Sequence, residues 1–176
     1  IIKDAPVKVL DYNEFFDMNL ALKQPGIHNR MNAAAALAVA SVERLDLEEA
    51  TKALTEFAGT WRRFEFKGDW QGAPVYDDYA HHPTEIKATL GGLRELYPEK
   101  NIIAISEPHT YTRTVSLFDD FAKVTALADQ FYFLPIYAAR EENISGVSTK
   151  ELAVKSLEYN PHTSYVPNYE AMIDTL

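Results

Sequence analysis

The apolar and polar positions divide the chain into two parts with different patterns. Residues 29–45 are rich in alanine, the strongest helix former, and apolar side chains lie nearly all round the predicted helix, which indicates a buried helix. A second helix is predicted over residues 46–57, with acidic residues in its first turn, where the helix dipole stabilises them. Residues 1–4 have the pattern of the middle of a strand. We therefore expect a mainly helical first part that belongs to a longer protein.

From residue 63 onward, short apolar strands alternate with amphipathic helices. The predicted strands are 64–68, 73–78, 101–105, 131–134 and 164–166, with a turn between Gly68 and Gly72 and a buried strand at 101–105. The predicted helices are 83–96, 114–127, 148–157 and 169–176. This alternation is typical of βαβ units. It predicts an α/β fold with a Rossmann-like, mostly parallel sheet and helices on both of its faces.

Composition narrows the classes of protein that this chain can represent. The 176 residues contain no cysteine, which excludes a disulfide scaffold, a cysteine nucleophile and a thiolate zinc site. The net charge of −9 argues against nonspecific nucleic-acid binding, because the phosphate backbone would be repelled. No apolar run approaches the roughly 20 residues of a membrane span. We therefore expect a cytoplasmic protein with neither nucleic acid nor membrane as partner.

Polar residues cluster where three predicted strands end, at residues 77–82, 107–113 and 137–142. Ligands of parallel sheets bind at the carboxyl ends of the strands, so these clusters are candidate site residues. In the first cluster, carboxylates and imidazoles suit a divalent metal, acid–base catalysis or ribose and phosphate contacts. Each residue could also serve structure alone, with Asp77 capping a turn and Glu85 stabilising the next helix. For the cluster as a whole, we favour function.

The second cluster combines His109 and Arg113 beside a predicted helix start. Free backbone N–H groups at such a start favour an anion site. The alternative is structural: Thr114 caps the helix, and Arg113 pairs with Asp119 or Glu107.

Two other segments carry candidate residues. The Arg62-Arg63 pair is either a surface turn or a phosphate clamp. Asn29 could cap the first helix, whereas Asn32 would need a buried partner or a ligand if that helix is buried. The sequence has no Gly-x-Gly-x-x-Gly motif and no phosphate-binding loop.

Four motifs then follow one another in a specific order. They are Pro-Gly-Ile-His-Asn-Arg-Met-Asn at 25–32, Thr-Trp-Arg-Arg-Phe-Glu at 60–65, Asp-Asp-Tyr-Ala-His-His-Pro-Thr-Glu at 77–85, and Pro-His-Thr-Tyr-Thr-Arg-Thr at 108–114. Together they closely resemble the Mur ligases of peptidoglycan synthesis. The His-His-Pro-Thr-Glu and Pro-His-x-Tyr-x-Arg segments resemble the branch that adds L-alanine to UDP-N-acetylmuramate.

The resemblance implies a three-domain, ATP-dependent ligase of the bacterial cytoplasm that works through an acyl phosphate. Residues 1–62 would end the central ATP-binding domain, and residues 63–176 would form an incomplete C-terminal Rossmann-like domain. The partners implied are UDP-N-acetylmuramate, L-alanine, ATP and the missing N-terminal and central domains. The phosphate-binding loop and most Mg²⁺ ligands would precede residue 1, and no metal site is expected in this chain.

The resemblance also implies roles for individual residues. Those expected to bind ATP are His28, Asn29, Asn32, Arg63 and Asp78. Those expected to bind the amino acid are Tyr79, His81, His109 and Arg113. Those expected to be catalytic are Arg63, Asp78 and His81. Many family members carry Arg where this chain has Thr110, and Gln where it has Glu107, so amino-acid recognition could differ in detail.

Two other functions are compatible with the residues. A metal-dependent phosphohydrolase could use Asp77, Asp78, His81 and His82, and would bind metal tightly. A non-catalytic nucleotide-binding domain could share the fold without the reaction.

Overall fold

The computed structural model describes residues 9–176, which divide into two compact units, one ending at Trp61 and one beginning at Arg62. The strand predicted at residues 1–4 lies outside the described residues. Among residues 9–176, no helix has both the length and the apolar character needed to cross a membrane.

The described part of the first unit contains a 3₁₀ turn at Tyr12–Phe15 and two helices, α1 (Ile27–Val42) and α2 (Leu47–Glu56). The start of α2 follows the prediction, because the Asp46 carboxylate accepts the backbone N–H groups of Glu48 and Glu49.

The start of α1 differs from the prediction. Gly26 precedes the helix with a φ of 97°, a conformation that favours glycine, so α1 begins earlier and Asn29 is not its cap. Asn29 lies inside the first turn, and its Nδ2 donates to the Pro25 carbonyl. The prediction of a helix buried on all sides is also wrong, since Val39 and Asn32 are exposed. Asn32 therefore needs no buried partner.

The second unit opens with an antiparallel hairpin of β1 (Glu65–Trp70) and β2 (Ala73–Asp77). Gln71 and Gly72 both have positive φ, as a two-residue hairpin turn requires. The predicted turn start at Gly68 is wrong, because Gly68 lies within β1 beside a bulge that glycine accommodates.

Three parallel strands follow, β3 (Ile103–Ser106), β4 (Gln130–Phe133) and β5 (Thr163–Tyr165), in the order β3-β4-β5. The helices of this unit are α3 (Pro83–Leu96), α4 (Tyr111–Ser116), α5 (Phe118–Val124), α6 (Thr149–Ser156) and α7 (Tyr169–Thr175). This architecture confirms the predicted α/β class with a parallel sheet and flanking helices.

The single helix predicted over residues 114–127 is divided in the structure. Leu117 leaves the helical region between α4 and α5, and a 3₁₀ turn follows at Thr125–Leu127. Thr114 does not cap a helix but is fully buried within α4. Its hydroxyl donates to the Thr110 carbonyl, and Ser116 does the same to Thr112, a pattern that bends helices.

The core lies mainly on one face of the parallel sheet. Phe131 and Phe133 of β4 are fully buried there against α3, α5 and α6. The other face carries a smaller cluster, in which Leu134 packs with Met172 of α7. The prediction of a buried strand at 101–105 is wrong in part, since Ile103 and Ile105 remain half-exposed. Among the described strands, β3 is one of the two edge strands of this sheet, so it has a neighbouring strand on one side only.

Candidate functional site

Four rings from three loops lie in a row at the carboxyl ends of the strands. The ring centroids are 5.2 Å apart for Tyr79 and His81, 5.9 Å for His81 and His109, and 5.3 Å for His109 and Tyr137. They border a cleft of about 570 Å³ that continues along β3. The three clusters that the sequence analysis singled out therefore meet at one place.

Arg62 lines one side of this cleft, and four contacts hold it in place. Its Nε lies 3.0 Å from an Asp77 carboxylate oxygen, and this hydrogen bond raises the pKa of the guanidinium. Its backbone N–H donates to Glu65 at 3.0 Å, and its carbonyl accepts the N–H of Tyr79 at 2.8 Å. The guanidinium carbon also lies 5.1 Å from the centre of the Tyr79 ring.

The Asp78 carboxylate fixes the turn at residues 61–64, which contains Arg62 and Arg63. One of its oxygens accepts the backbone N–H of Phe64 and the other that of Ala80, each at 2.7 Å. Arg63 lies between these anchors, with its guanidinium carbon 5.7 Å from the centre of the Tyr79 ring. Hydrogen bonds therefore fix the backbone on both sides of Arg63, at Arg62 and at Phe64.

His81 has a defined hydrogen-bonding state. Its Nδ1 lies 2.8 Å from the Tyr79 carbonyl oxygen, which can only accept, so Nδ1 carries a hydrogen and Nε2 is the ring nitrogen left for another partner. Glu85 accepts the backbone N–H groups of His81 and His82. Burial opposes ionisation of Glu85, but these bonds lower its pKa overall. His82 caps α3 through Nδ1, which accepts the N–H of Thr84.

Arg113 contacts His109 rather than the acids suggested as structural partners. Its Nη1 lies 3.2 Å from the His109 carbonyl oxygen and 3.5 Å from its Nδ1. Among the described residues, no ion pair joins Arg113 to Asp119 or Glu107. Within residues 9–176 the guanidinium makes no other hydrogen bond, so its remaining N–H groups can bind an anion.

One donor of the predicted anion site, the backbone N–H of Thr112 at the start of α4, is not free to bind an anion. Glu141, from the loop after β4, accepts the backbone N–H of Thr112 at 2.9 Å and its hydroxyl at 2.5 Å. The backbone N–H of Thr112 is therefore already bound to a carboxylate. Sequence reasoning missed this role of Glu141, and the only signal for it was the polar cluster at 137–142.

Tyr169 was also missed as a residue of the cleft. Burial and hydrogen bonding with Glu107 raise the pKa of its hydroxyl. Glu107 is thus hydrogen-bonded to a residue of α7, and no motif in the sequence indicated this contact.

The arrangement does not favour the phosphohydrolase. Asp77 is paired with Arg62, both oxygens of Asp78 accept backbone N–H groups, and His82 caps α3. Within residues 9–176, no group of three or more carboxylate and imidazole side chains converges as a metal site would require.

The remaining candidates lie in the first unit, on the first two turns of α1. Asn29 donates to the Pro25 carbonyl, and Asn32 is exposed to solvent. His28 lies beside Asn29 and is half-buried. The structure therefore groups Arg63, Asp78, Tyr79, His81, His109 and Arg113 in one unit, and His28, Asn29 and Asn32 in the other.

Comparisons with known proteins identify relatives of the chain. The UDP-N-acetylmuramate–L-alanine ligase of Aquifex aeolicus is 50% identical over 131 residues, which are 74% of this chain and 29% of that enzyme. The enzyme of the same name from Clavibacter michiganensis is 41% identical over 175 residues, which are 99% of this chain and 37% of that enzyme. The chain thus spans about a third of the length of these relatives.

A solved structure and a family model agree with these relatives. The UDP-N-acetylmuramate–alanine ligase of Thermotoga maritima superposes with a TM-score of 0.72 at 29% identity, over 88% of this chain and 33% of that one. Residues 62–176 match the family model described as Mur ligase, glutamate ligase domain. These matches confirm the resemblance drawn from the four motifs, and the chain therefore belongs to the Mur ligase family.

Proposed function

We propose that the chain is the C-terminal part of an ATP-dependent ligase that joins L-alanine to UDP-N-acetylmuramate. The observation that carries this proposal is the 50% identity to the Aquifex aeolicus enzyme of that name over 131 residues. The muramyl carboxylate would be phosphorylated to an acyl phosphate, which the alanine amine attacks with release of phosphate. We place this reaction in the bacterial cytoplasm.

The domain assignment belongs to the same proposal. Residues 1–62 would end the central ATP-binding domain, and residues 63–176 would form part of the C-terminal domain. The division of the chain at Trp61 and Arg62 supports a boundary at this point.

On the nucleotide side, we assign His28, Asn29 and Asn32 to the adenine end of ATP and Arg63 to its phosphates. ATP supplies the phosphoryl group, and Mg²⁺ would be held mainly by residues outside this chain. The anchored turn supports the role of Arg63, because a fixed cation stabilises developing phosphoryl charge without reorganising. Asp78 would contact the nucleotide while its oxygens hold this turn.

On the amino-acid side, Tyr79, His81, His109 and Arg113 would line the pocket. The free N–H groups of Arg113 suit the alanine carboxylate, since charge-assisted bonds to guanidinium are strong. The alanine ammonium must lose a proton before it attacks. We assign that proton to Nε2 of His81, whose Nδ1 is held by the Tyr79 carbonyl.

A coupled assay of ADP release tests the proposal. The full-length protein should release ADP only when UDP-N-acetylmuramate and L-alanine are both present, and the product should be UDP-N-acetylmuramoyl-alanine. The 176-residue chain alone should show no turnover, because its sequence lacks a phosphate-binding loop. Full-length turnover that ignores L-alanine would contradict the proposed substrate, and tight metal binding by the chain alone would favour the phosphohydrolase.

A further inference from the structure

The start of α4 is held by a residue that is distant in sequence. The Glu141 carboxylate accepts both the backbone N–H and the hydroxyl of Thr112, across 29 positions of the chain. These bonds lower the pKa of Glu141, so the side chain is ionised at neutral pH. Thr110, directly before α4, makes no capping bond with its own side chain. Glu141 therefore supplies the cap that the local sequence lacks.

Thr110 has an unfavourable backbone conformation for its residue type. Its φ is 72° and its ψ is 141°, a region that β-branched residues rarely adopt. Such conformations persist where the surroundings over-determine them, and they cluster at functional sites. Here the Thr110 N–H donates to the Tyr137 carbonyl at 2.9 Å, and the Tyr137 N–H donates to the Pro108 carbonyl at 2.9 Å.

Tyr137 thus holds Thr110 itself, and Glu141 holds Thr112, two residues later. His109 lies directly before Thr110, and Arg113 lies on the first turn of the helix after it. Arg113 reaches back to His109 through Nη1, so the position of one group depends on that of the other. A shift of the α4 start would move the guanidinium relative to the imidazole.

We infer that Glu141 is a positioning residue that sets the place of Arg113 for the carboxylate of the incoming amino acid. The inference rests on the proposed ligase function, because that function puts Arg113 in the amino-acid pocket. Glu141 acts through Thr112 and the Thr110 turn. Its effect should therefore appear in amino-acid binding and not in nucleotide binding.

Steady-state kinetics of the full-length ligase test this inference. Glu141→Ala should raise the KM for L-alanine at least about tenfold, since small displacements of a binding group are costly, and leave the KM for ATP within about twofold. Glu141→Gln should recover most of the loss, because its amide oxygen can still accept a bond from Thr112. Glu142→Ala is the matched control, because it removes the same charge from the exposed neighbouring position and should change neither KM.

Equal effects of Glu141→Ala on alanine and ATP would overturn the inference, as would an unchanged KM for alanine. If Glu141→Ala fails to fold, Thr112→Val provides the test. It removes the hydroxyl bond alone and should still raise the KM for alanine by a few fold.

Amide hydrogen exchange in the 176-residue chain separates this inference from the proposed function. The N–H groups of Thr110 and Thr112 should exchange faster in Glu141→Ala than in Glu142→Ala. Unchanged exchange would show that Glu141 does not stabilise the start of α4. If the wild-type ligase shows no alanine-dependent ADP release, the proposed function fails. Faster exchange would then leave Glu141 a purely structural cap.

Discussion

Among the described residues, the Arg113 guanidinium forms hydrogen bonds through one of its nitrogens only. Arg62 is paired with Asp77, whereas Arg113 commits only Nη1, to His109. A charge-assisted bond to a substrate carboxylate is worth about 1.5–3 kcal/mol. Under the proposed function, Arg113→Ala in the full-length protein should therefore raise the KM for L-alanine roughly 10- to 100-fold and barely change that for ATP.

Asp119→Ala is the control for this prediction, since the structure pairs Arg113 with His109 and not with Asp119. It should leave both KM values unchanged. Equal increases for ATP and alanine in Arg113→Ala would indicate a general role of Arg113 in loop structure.

Asn160 shows how one buried side chain joins separate segments. Its Nδ2 donates to the carbonyls of Thr125 and Ala128, and its Oδ1 accepts the N–H of His162. Asn160→Ala leaves these buried groups unsatisfied, so the free energy of unfolding should fall by about 1–3 kcal/mol in urea denaturation of the chain. Asn101→Ala, at an exposed position, should change it by less than about 0.5 kcal/mol.

At the scale of elements, α3 depends on the capping box at its start. His82 accepts the N–H of Thr84, and Glu85 accepts the N–H groups of His81 and His82. Glu85→Ala should lower the free energy of unfolding by about 1 kcal/mol, because these donors lose their acceptor. Glu99→Ala removes the same charge at an exposed position after α3 and should have little effect on urea denaturation. Equal losses in the two variants would mean that charge, and not capping, matters at Glu85.

At the scale of the whole molecule, several carboxylates share one electrostatic property. Hydrogen bonds from backbone N–H groups, and in some cases from neighbouring cations or hydroxyls, lower the pKa of each. They are Glu65, Glu85, Asp129 and Glu141. Because each folded-state pKa lies below that of the unfolded chain, the ionised groups stabilise the fold at neutral pH. That stability is lost as the pH falls below about 4 and through the folded-state pKa values.

Asp129 allows a direct test of this pH dependence. Its Oδ2 accepts the Ile102 N–H and a guanidinium N–H of Arg94, each at 2.7 Å, and these bonds lower its pKa. Asp129→Asn should lower the free energy of unfolding at pH 7. It should also make that free energy fall less between about pH 5 and pH 3, because the amide does not titrate. Urea midpoints measured across this range check the slope. Asp174→Asn, at an exposed position, should keep the wild-type slope, and an unchanged slope in Asp129→Asn would contradict the prediction.

The sequence by itself determined the features that depend on neighbouring residues. Helix α3 spans 83–96 as predicted, and α6 begins within one residue of its predicted start, where Ser148 and Glu151 form a capping box. The strands fell close to their predicted positions, because period and composition decide them locally. The polar clusters at the strand ends were visible for the same reason. Four motifs in order also sufficed to indicate the family.

Only the tertiary structure decided how these elements bond to one another. The pairing of Glu141 with Thr112, the hold of Asp78 on Phe64 and the break at Leu117 were not predicted. The prediction of a wholly buried α1 failed in a similar way. A local pattern records preferences over a few residues, whereas these features depend on strand register and packing between segments tens of residues apart. That register brings the strand ends together, and with them the candidate site.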